Sequence, residues 1–84
     1  MTIKIKFTAK IAKEMNTNNN FNEFVIDCIN RHLSSDWGDV SERDAELNAS
    51  DFFHALSCYQ FTESRKICIR QDGTSLTVLY HEEV

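Results

Sequence analysis

The sequence predicts a small α+β domain in which two to three helices cover one face of a mainly antiparallel sheet. Three observations lead there. The opening Thr2 to Phe7 alternates polar and apolar residues, with Ile3, Ile5 and Phe7 on one side and Lys4 and Lys6 on the other, the period of a strand with one dry face. From 21 to 33 the apolar residues Phe21, Phe24, Val25, Cys28, Ile29 and Leu33 recur at three and four, the period of an amphipathic helix. After Leu56 the period returns to two, and Asp72-Gly73 between two β-rich segments is a type I′ hairpin signal. At 84 residues the chain reads as one domain, 1–84. Such a chain buries only ~60 to 65% of its unfolded surface, so one modest core is expected and a deep enclosed active site is not.

Taken in order, the first strand is expected at a sheet edge, because outward lysines discourage pairing with other chains. Thr8 can cap a short helix reaching Met15 through Ile11 and Ala12. The run Asn16-Thr17-Asn18-Asn19-Asn20 reads as a polar connector. Asn20 with Glu23 has the form of a capping box for the helix of 21 to 33. That helix should stop near Ser34 or Ser35, since serines are poor interior residues and Gly38 follows closely. Ser41 with Asp44 repeats the capping arrangement, and Ala45, Ala49, Phe52, Phe53 and Leu56 then suggest a second amphipathic helix from about 42 to 53. Three antiparallel strands close the chain, and the first strand joins their sheet. The expected core is Ile5, Phe7, Phe24, Val25, Cys28, Ile29, Trp37, Phe52, Leu56, Ile67, Ile69, Val78 and Tyr80.

Composition narrows function by exclusion. Apolar content of 42% with 26% charged residues is ordinary for a soluble globular protein, and nothing approaches the ~18 unbroken apolar residues of a membrane span. The alternating opening is unlike a secretory leader, so the expected compartment is the cytoplasm. Cys28, Cys58 and Cys68 cannot all pair within the chain, and each lies in an apolar-periodic stretch. Three reduced, buried thiols without a metal are therefore expected.

The net charge is -4, unevenly placed. Lys4, Lys6, Lys10 and Lys13 open the chain with no acid among them. Residues 36 to 51 hold Asp36, Asp39, Glu42, Asp44, Glu46 and Asp51 against Arg43 alone. Acids near a helix start are explained by its dipole, but Glu46 and Asp51 lie beyond the first turn of a helix starting near Glu42. Asp36, Asp39, Glu42, Glu46 and Asp51 are thus the candidate face for a basic protein partner, whose approach they would steer.

Between the two helices, Arg31-His32-Leu33-Ser34-Ser35-Asp36-Trp37-Gly38-Asp39 holds the only Trp and one of two Gly. Arg31, His32, Trp37 and Gly38 are read as a structural hinge. Asp36 or Asp39 can pair with Arg31 or receive the next helix's amides, Trp37 can plug the space between helices and sheet, and Gly38 can supply an angle other residues resist. Chemical alternatives centre on His32. With Cys28 four residues earlier it could offer two metal ligands, but no Cys-x-x-Cys pair supports a site. With Asp36 and one of Ser34, Ser35, Ser41 or Ser57 it could form a nucleophile-base-acid set, though no glycine-flanked elbow surrounds those serines. The lysines could meet phosphate, but without interleaved aromatics or arginines nucleic-acid binding is weakly indicated.

The hinge and the closing strands resemble a family of short plasmid- and phage-borne proteins, usually catalogued as hypothetical or, by neighbourhood, as type I restriction methylase-subunit-like. The family pattern is matched by Arg31-His32, Asp36-Trp37-Gly38, Asp44, Asn48, Ser57-Cys58-Tyr59, Lys66 to Ile69, and Thr77 to Leu79 with Glu82 and Glu83. Ser35 stands where the family has Gly, and the glycine-rich turn after the second helix is missing. The family brings no established activity. Its catalogue name implies no methyltransferase, since so short a chain without a glycine loop cannot house the cofactor-binding sheet. The resemblance implies a mobile-element setting. The expected function is a non-enzymatic, protein-binding module of the anti-CRISPR or anti-restriction inhibitor kind, acting on a basic groove of a host defence protein. No cofactor is expected, and a homodimer is compatible with any of these readings. The alternatives are a nucleic-acid accessory protein using the lysine strand and a small hydrolase or metal protein built on His32.

Overall fold

The sheet is built from Lys4–Phe7 (β1), Leu56–Thr62 (β2), Arg65–Asp72 (β3) and Ser75–Tyr80 (β4), in the order β1-β4-β3-β2. The structure, a computed structural model, describes residues 2 to 84. The helices are Ala9–Thr17 (α1), Asn19–Leu33 (α2) and Glu42–Ser50 (α3), with 3-10 turns at Phe52–His54 and His81–Glu83. β2, β3 and β4 form the antiparallel meander expected, whereas β1 joins β4 in parallel. The architecture is α+β, with a mixed sheet in which antiparallel pairings predominate.

Register sorts the side chains. Tyr59, Ile67, Ile69, Leu76 and Val78 face α1 and α2, where Ile11, Phe21, Val25, Cys28 and Ile29 complete the main core. The opposite face carries Cys58, Cys68 and Leu79 in one cross-strand row, backed by Val40 and Leu56. Only α1 and α2 lie over the sheet. α3 stands beside β2, as its short length and single buried residue, Asn48, suggest.

Several local expectations are corrected. Asn18, not Asn20, caps α2 by accepting from Phe21 N at 3.1 Å, and α1 runs to Thr17, so the expected polar connector shrinks to one residue. A single extended residue suffices because Asn18 both ends α1 and caps α2. The second amphipathic helix ends at Ser50, and Phe52–His54 is a separate turn. Its supposed dry stripe fails at Ala49, which is exposed, while polar Asn48 turns inward. At the hairpin the central residues are Gly73 and Thr74; only Gly73 has a positive φ, 61°, which gives type II′ rather than type I′. Ser41 and Thr8 cap α3 and α1 as expected.

Two core assignments also fail. Ile5 is 42% exposed and Phe7 38%. Both point to the helix side, opposite Leu76 and Val78, but β1 is the outermost strand and α2 leans on β2, so little covers them. Phe24, Phe52, Leu56 and Tyr80 are half-buried. The largest residues sealed in the core, Tyr59, Phe21 and Ile11, all lie outside the expected set of core residues.

The expectation of three free thiols is overturned. Cys58 and Cys68 sit directly opposite on β2 and β3, their Cα atoms 4.0 Å apart, and form a disulfide; Cys28 remains free and buried. The backbone of Cys58 bonds outward, to Trp37 O and Asp39 N, so this is a non-hydrogen-bonded pair, the kind that brings facing side chains closest. Cys28 is pushed up to about 12 by burial in the core, which leaves its thiol unreactive at neutral pH. Unfolded under non-reducing conditions, the chain is expected to offer one reactive thiol, and three after reduction. With the paired cysteines 10 positions apart in sequence, reduction is expected to cost about 2 to 3 kcal/mol of stability, read by chemical denaturation. Three thiols without reductant would refute the pairing.

Candidate functional site

The residues between α2 and α3 wrap around the outer edge of β2 and close it. α2 ends at Ser34, whose amide bonds back to Asn30 and Arg31, and Ser35 then turns through a left-handed φ of 63°. The chain next runs beside β2: Cys58 N donates to Trp37 O at 3.2 Å and Asp39 N donates to Cys58 O at 2.7 Å. One turn of edge further, Gln60 N donates to Asp39 Oδ2 at 3.2 Å. On the other side, Asn48 from α3 grips Leu56 with both ends of its amide, Nδ2 to Leu56 O at 2.7 Å and Leu56 N to Oδ1 at 3.1 Å. All outward-facing amides of β2 from Leu56 to Gln60 are thus satisfied within the chain, as buried backbone groups require.

Gly38 makes the approach feasible. Its φ is +69°, and a Cβ there would overlap the Cys58 carbonyl oxygen and the Tyr59 ring. Arg31 locks the hinge to α2 with a two-pronged ion pair, Nε to Asp36 Oδ2 at 2.7 Å and Nη2 to Oδ1 at 3.2 Å. Its guanidinium lies 4.7 Å over the Tyr59 ring, and the Tyr59 hydroxyl donates to Asp36 O at 2.7 Å. The hydrogen bond from Arg31, helped by the Gly38 amide, holds the Asp36 carboxyl below the usual range. Burial instead pushes the Tyr59 phenol up to about 12.

His32 is fully buried, and both ring nitrogens are occupied: Nδ1 faces Ser57 Oγ at 2.6 Å and Nε2 faces Gln71 Oε1 at 2.8 Å. Gln71 donates its Nε2 to Gly73 O at 3.1 Å, which leaves Oε1 as acceptor. The His32 proton therefore sits on Nε2, and Nδ1 accepts from the Ser57 hydroxyl. Trp37 meets the imidazole edge-on at 5.2 Å, with Phe52 completing an aromatic wall 6.0 Å from Trp37.

Ser57, His32 and Gln71 have the hydrogen-bond order of a nucleophile, a base and its orienting group. Ser57 and His32 are inaccessible to solvent and Gln71 nearly so, so substrate has no route to the hydroxyl, and the network's physical effect is to tie α2 to β2 and β3. Asp36, the acid considered beside His32, is engaged by Arg31 instead. Cys28 shares the helix face with His32, but neither imidazole nitrogen is spare, and among the described residues no three metal-capable side chains converge. Ser34, Ser35 and Ser41 lie on the surface.

The acids divide. Asp36 and Asp39 serve the hinge and the β2 edge, and Asp51 pairs with His54 at 2.9 Å. Glu42 and Glu46, with Asp44, lie exposed on α3 beside Leu47, which is 57% exposed. Val40, Asp44, Leu47, Asn48, His54 and Leu56 line a cleft of about 240 Å³. The four N-terminal lysines also divide, Lys4 and Lys6 on β1 and Lys10 and Lys13 on α1. Among the described residues no helix is long and apolar enough to cross a membrane.

Compared with known proteins, the chain matches no family model, no curated protein and no solved structure. The residues that converge here, Arg31, His32, Asp36, Trp37, Gly38, Asn48, Ser57 and Tyr59, are spread over nearly thirty positions of sequence. Asn48 and Gln71 carry roles that periodicity gave no hint of; a buried polar residue at an apolar position of the pattern is the only local sign.

Two outcomes test this geometry. Gly38→Ala is expected to lose about 3 kcal/mol or more through strain and overlap, against about 1 kcal/mol for Gly73→Ala, whose Cβ would enter open space; equal losses in denaturant titrations would contradict the close approach of Gly38 to β2. The second concerns pH. Burial holds the His32 imidazole below its ordinary 6.5, so the unfolded chain takes up this proton first as pH falls. The stability His32 contributes is present above about 6.5 and is lost as pH falls through its lower folded value, by at most about 1.4 kcal/mol per pH unit for one proton. His32→Gln should be less stable at pH 7.5 yet show a flatter profile between pH 7 and 5.5, measured by chemical denaturation.

Proposed function

We propose that this protein is a non-enzymatic protein-binding module of the kind mobile genetic elements carry, acting on a host defence protein such as a component of a CRISPR or restriction system. The observation that carries the reading is the α3 face. Asp44 and an exposed Leu47 line a cleft with apolar walls of Val40 and Leu56, and Glu42 and Glu46 are exposed on the same helix. An apolar anchor with charge beside it suits a protein interface, in which the anchor supplies burial and the charges set orientation and association rate. Unpaired like charges on so short a helix cost the free domain some stability, which a basic partner would offset. The partner face is accordingly narrower than the acidic stretch of the sequence: Asp36, Asp39 and Asp51 already have partners within the chain, and Glu42 and Glu46 carry the proposal.

A non-enzymatic role is supported by the enclosure of the Ser57-His32-Gln71 network, which spends the most reactive side chains on holding elements together. A cytoplasmic setting suits the buried free thiol of Cys28 but sits poorly with the Cys58–Cys68 disulfide, since such bonds are rare where glutathione and thioredoxin keep thiols reduced. Thiol trapping in intact cells would separate the two settings.

The test is capture of a bacterial partner by the tagged protein and by a variant with Glu42→Lys, Glu46→Lys and Leu47→Ser. All three residues are exposed, so the variant is expected to fold, as circular dichroism will check, and to lose at least about tenfold in captured partner, as charge reversal and anchor removal together imply. Undiminished capture of the same partner by the folded variant would take the interface off α3.

A further inference from the structure

We propose that β1 is a second binding edge, which takes an extended segment of another protein whose apolar residues alternate with acidic ones. The two edges of the sheet are treated in opposite ways. β2 is closed by the hinge and Asn48, as described, whereas β1 ends the sheet with nothing beyond it among the described residues. Lys4 N donates to Thr74 O at 2.8 Å and Thr8 N donates to Val78 O at 3.1 Å. Neighbouring residues of a strand direct their amides to opposite sides, so Ile5 and Phe7 turn theirs outward, ready for a further strand.

The side chains of that edge specify what would add to it. Ile5 and Phe7 stand on the helix side, each more than a third exposed, and Ile3 just before the strand is exposed too. Phe24 and Arg31 lean α2 toward β2 through Phe61 and Tyr59, and on the other flank of α2 Ile26 and Leu33 are exposed. An added strand would bury its apolar residues beside Ile5 and Phe7. On the opposite face Lys4 and Lys6 are exposed, and Arg70 lies in the same cross-strand row as Lys6 and Thr77. Residues of the added strand opposite Lys4 and Lys6 are best acidic, because facing opposite charges stabilise a strand pair and facing like charges oppose it.

That rule also argues against a second copy of this chain. In any antiparallel pairing of β1 with itself that keeps the apolar residues on one face, Lys4 or Lys6 faces a lysine. The lysines thus discourage self-pairing, as edge lysines do, while favouring an acidic strand. Bound in this way, the partner segment would extend the sheet to five strands without disturbing α3, so this edge and the α3 face are independent.

The test uses the full chain and two synthetic eight-residue peptides, one alternating Val with Glu and one alternating Val with Lys. The Val-Glu peptide is expected to bind at least tenfold more tightly by titration calorimetry and to slow exchange of the Ile5 and Phe7 amides at least tenfold by NMR. Lys4→Glu with Lys6→Glu should reverse the preference. Ile5→Pro removes an outward donor and leaves the inner ladder to β4 intact, and should abolish binding of the Val-Glu peptide while the domain stays folded; if that variant unfolds, the charge reversal alone decides. Equal binding of both peptides, binding of neither, or protection of β2 in place of β1 overturns the proposal. So does protection of Ile5 and Phe7 that grows with protein concentration in the absence of peptide, which would assign the edge to a second copy.

Discussion

Closure of the β2 edge is the constraint around which the molecule is arranged. A strand at the rim of a four-stranded sheet has a row of amides that must find partners in the chain or in water. Here Asn48, Trp37, Asp39 and the Asp39 carboxylate take them in turn. To deliver those groups the chain must leave α2 abruptly, pass Cys58 at backbone contact and return through α3. Ser35 and Gly38, both with positive φ, are the two angles that make the path possible. α3 is therefore held as much by its single Asn48 as by apolar packing, which explains how a helix with so little buried surface keeps its place and leaves its acidic side to solvent.

The second anchor is polar and lies inside the apolar layer. His32 connects residues 25 and 39 positions away, Ser57 and Gln71, and so joins the end of α2 to the middle of β2 and the end of β3. A fully satisfied buried network of this kind rigidifies and specifies one arrangement of the elements, while any missing partner leaves a desolvated group. At the other end of the molecule the arrangement is electrostatic. Arg65 pairs with Glu14 and lies over the rings of Phe21, Phe61 and Tyr80, and Glu83 accepts from Thr8 and from the Tyr80 amide. One end is thus sealed and the other part-buried, and Cys58–Cys68 pins β2 to β3.

This division bears on where partners can act. The open edge of β2 is used up by the molecule's own closure, and Asp36 and Asp39, which look like free acids in sequence, are part of it. The exposed features are the acidic α3 with Leu47 and the basic, apolar-striped β1. A domain with net charge -4 therefore offers faces of opposite sign, and the reading of it as a binding module rests on local patches rather than on overall charge.

The sequence by itself determined the kinds of element and most of their ends. Helix and strand periods are local, and so are the caps at Thr8 and Ser41, because a side chain reaching an amide three residues on needs nothing from the rest of the fold. The hinge could likewise be singled out, with an Arg31 ion pair to Asp36 or Asp39, a buried Trp37 and a special angle at Gly38, though not the partners of His32. Only the tertiary structure decided the parallel seat of β1 at the rim, which leaves Ile5 and Phe7 uncovered, the pairing of Cys58 with Cys68, and the partners of Asn48, Ser57 and Gln71. Each of these depends on strand order and register, where a slip of one residue moves every side chain to the other face. Such contacts join positions far apart in the chain, and no local pattern records them.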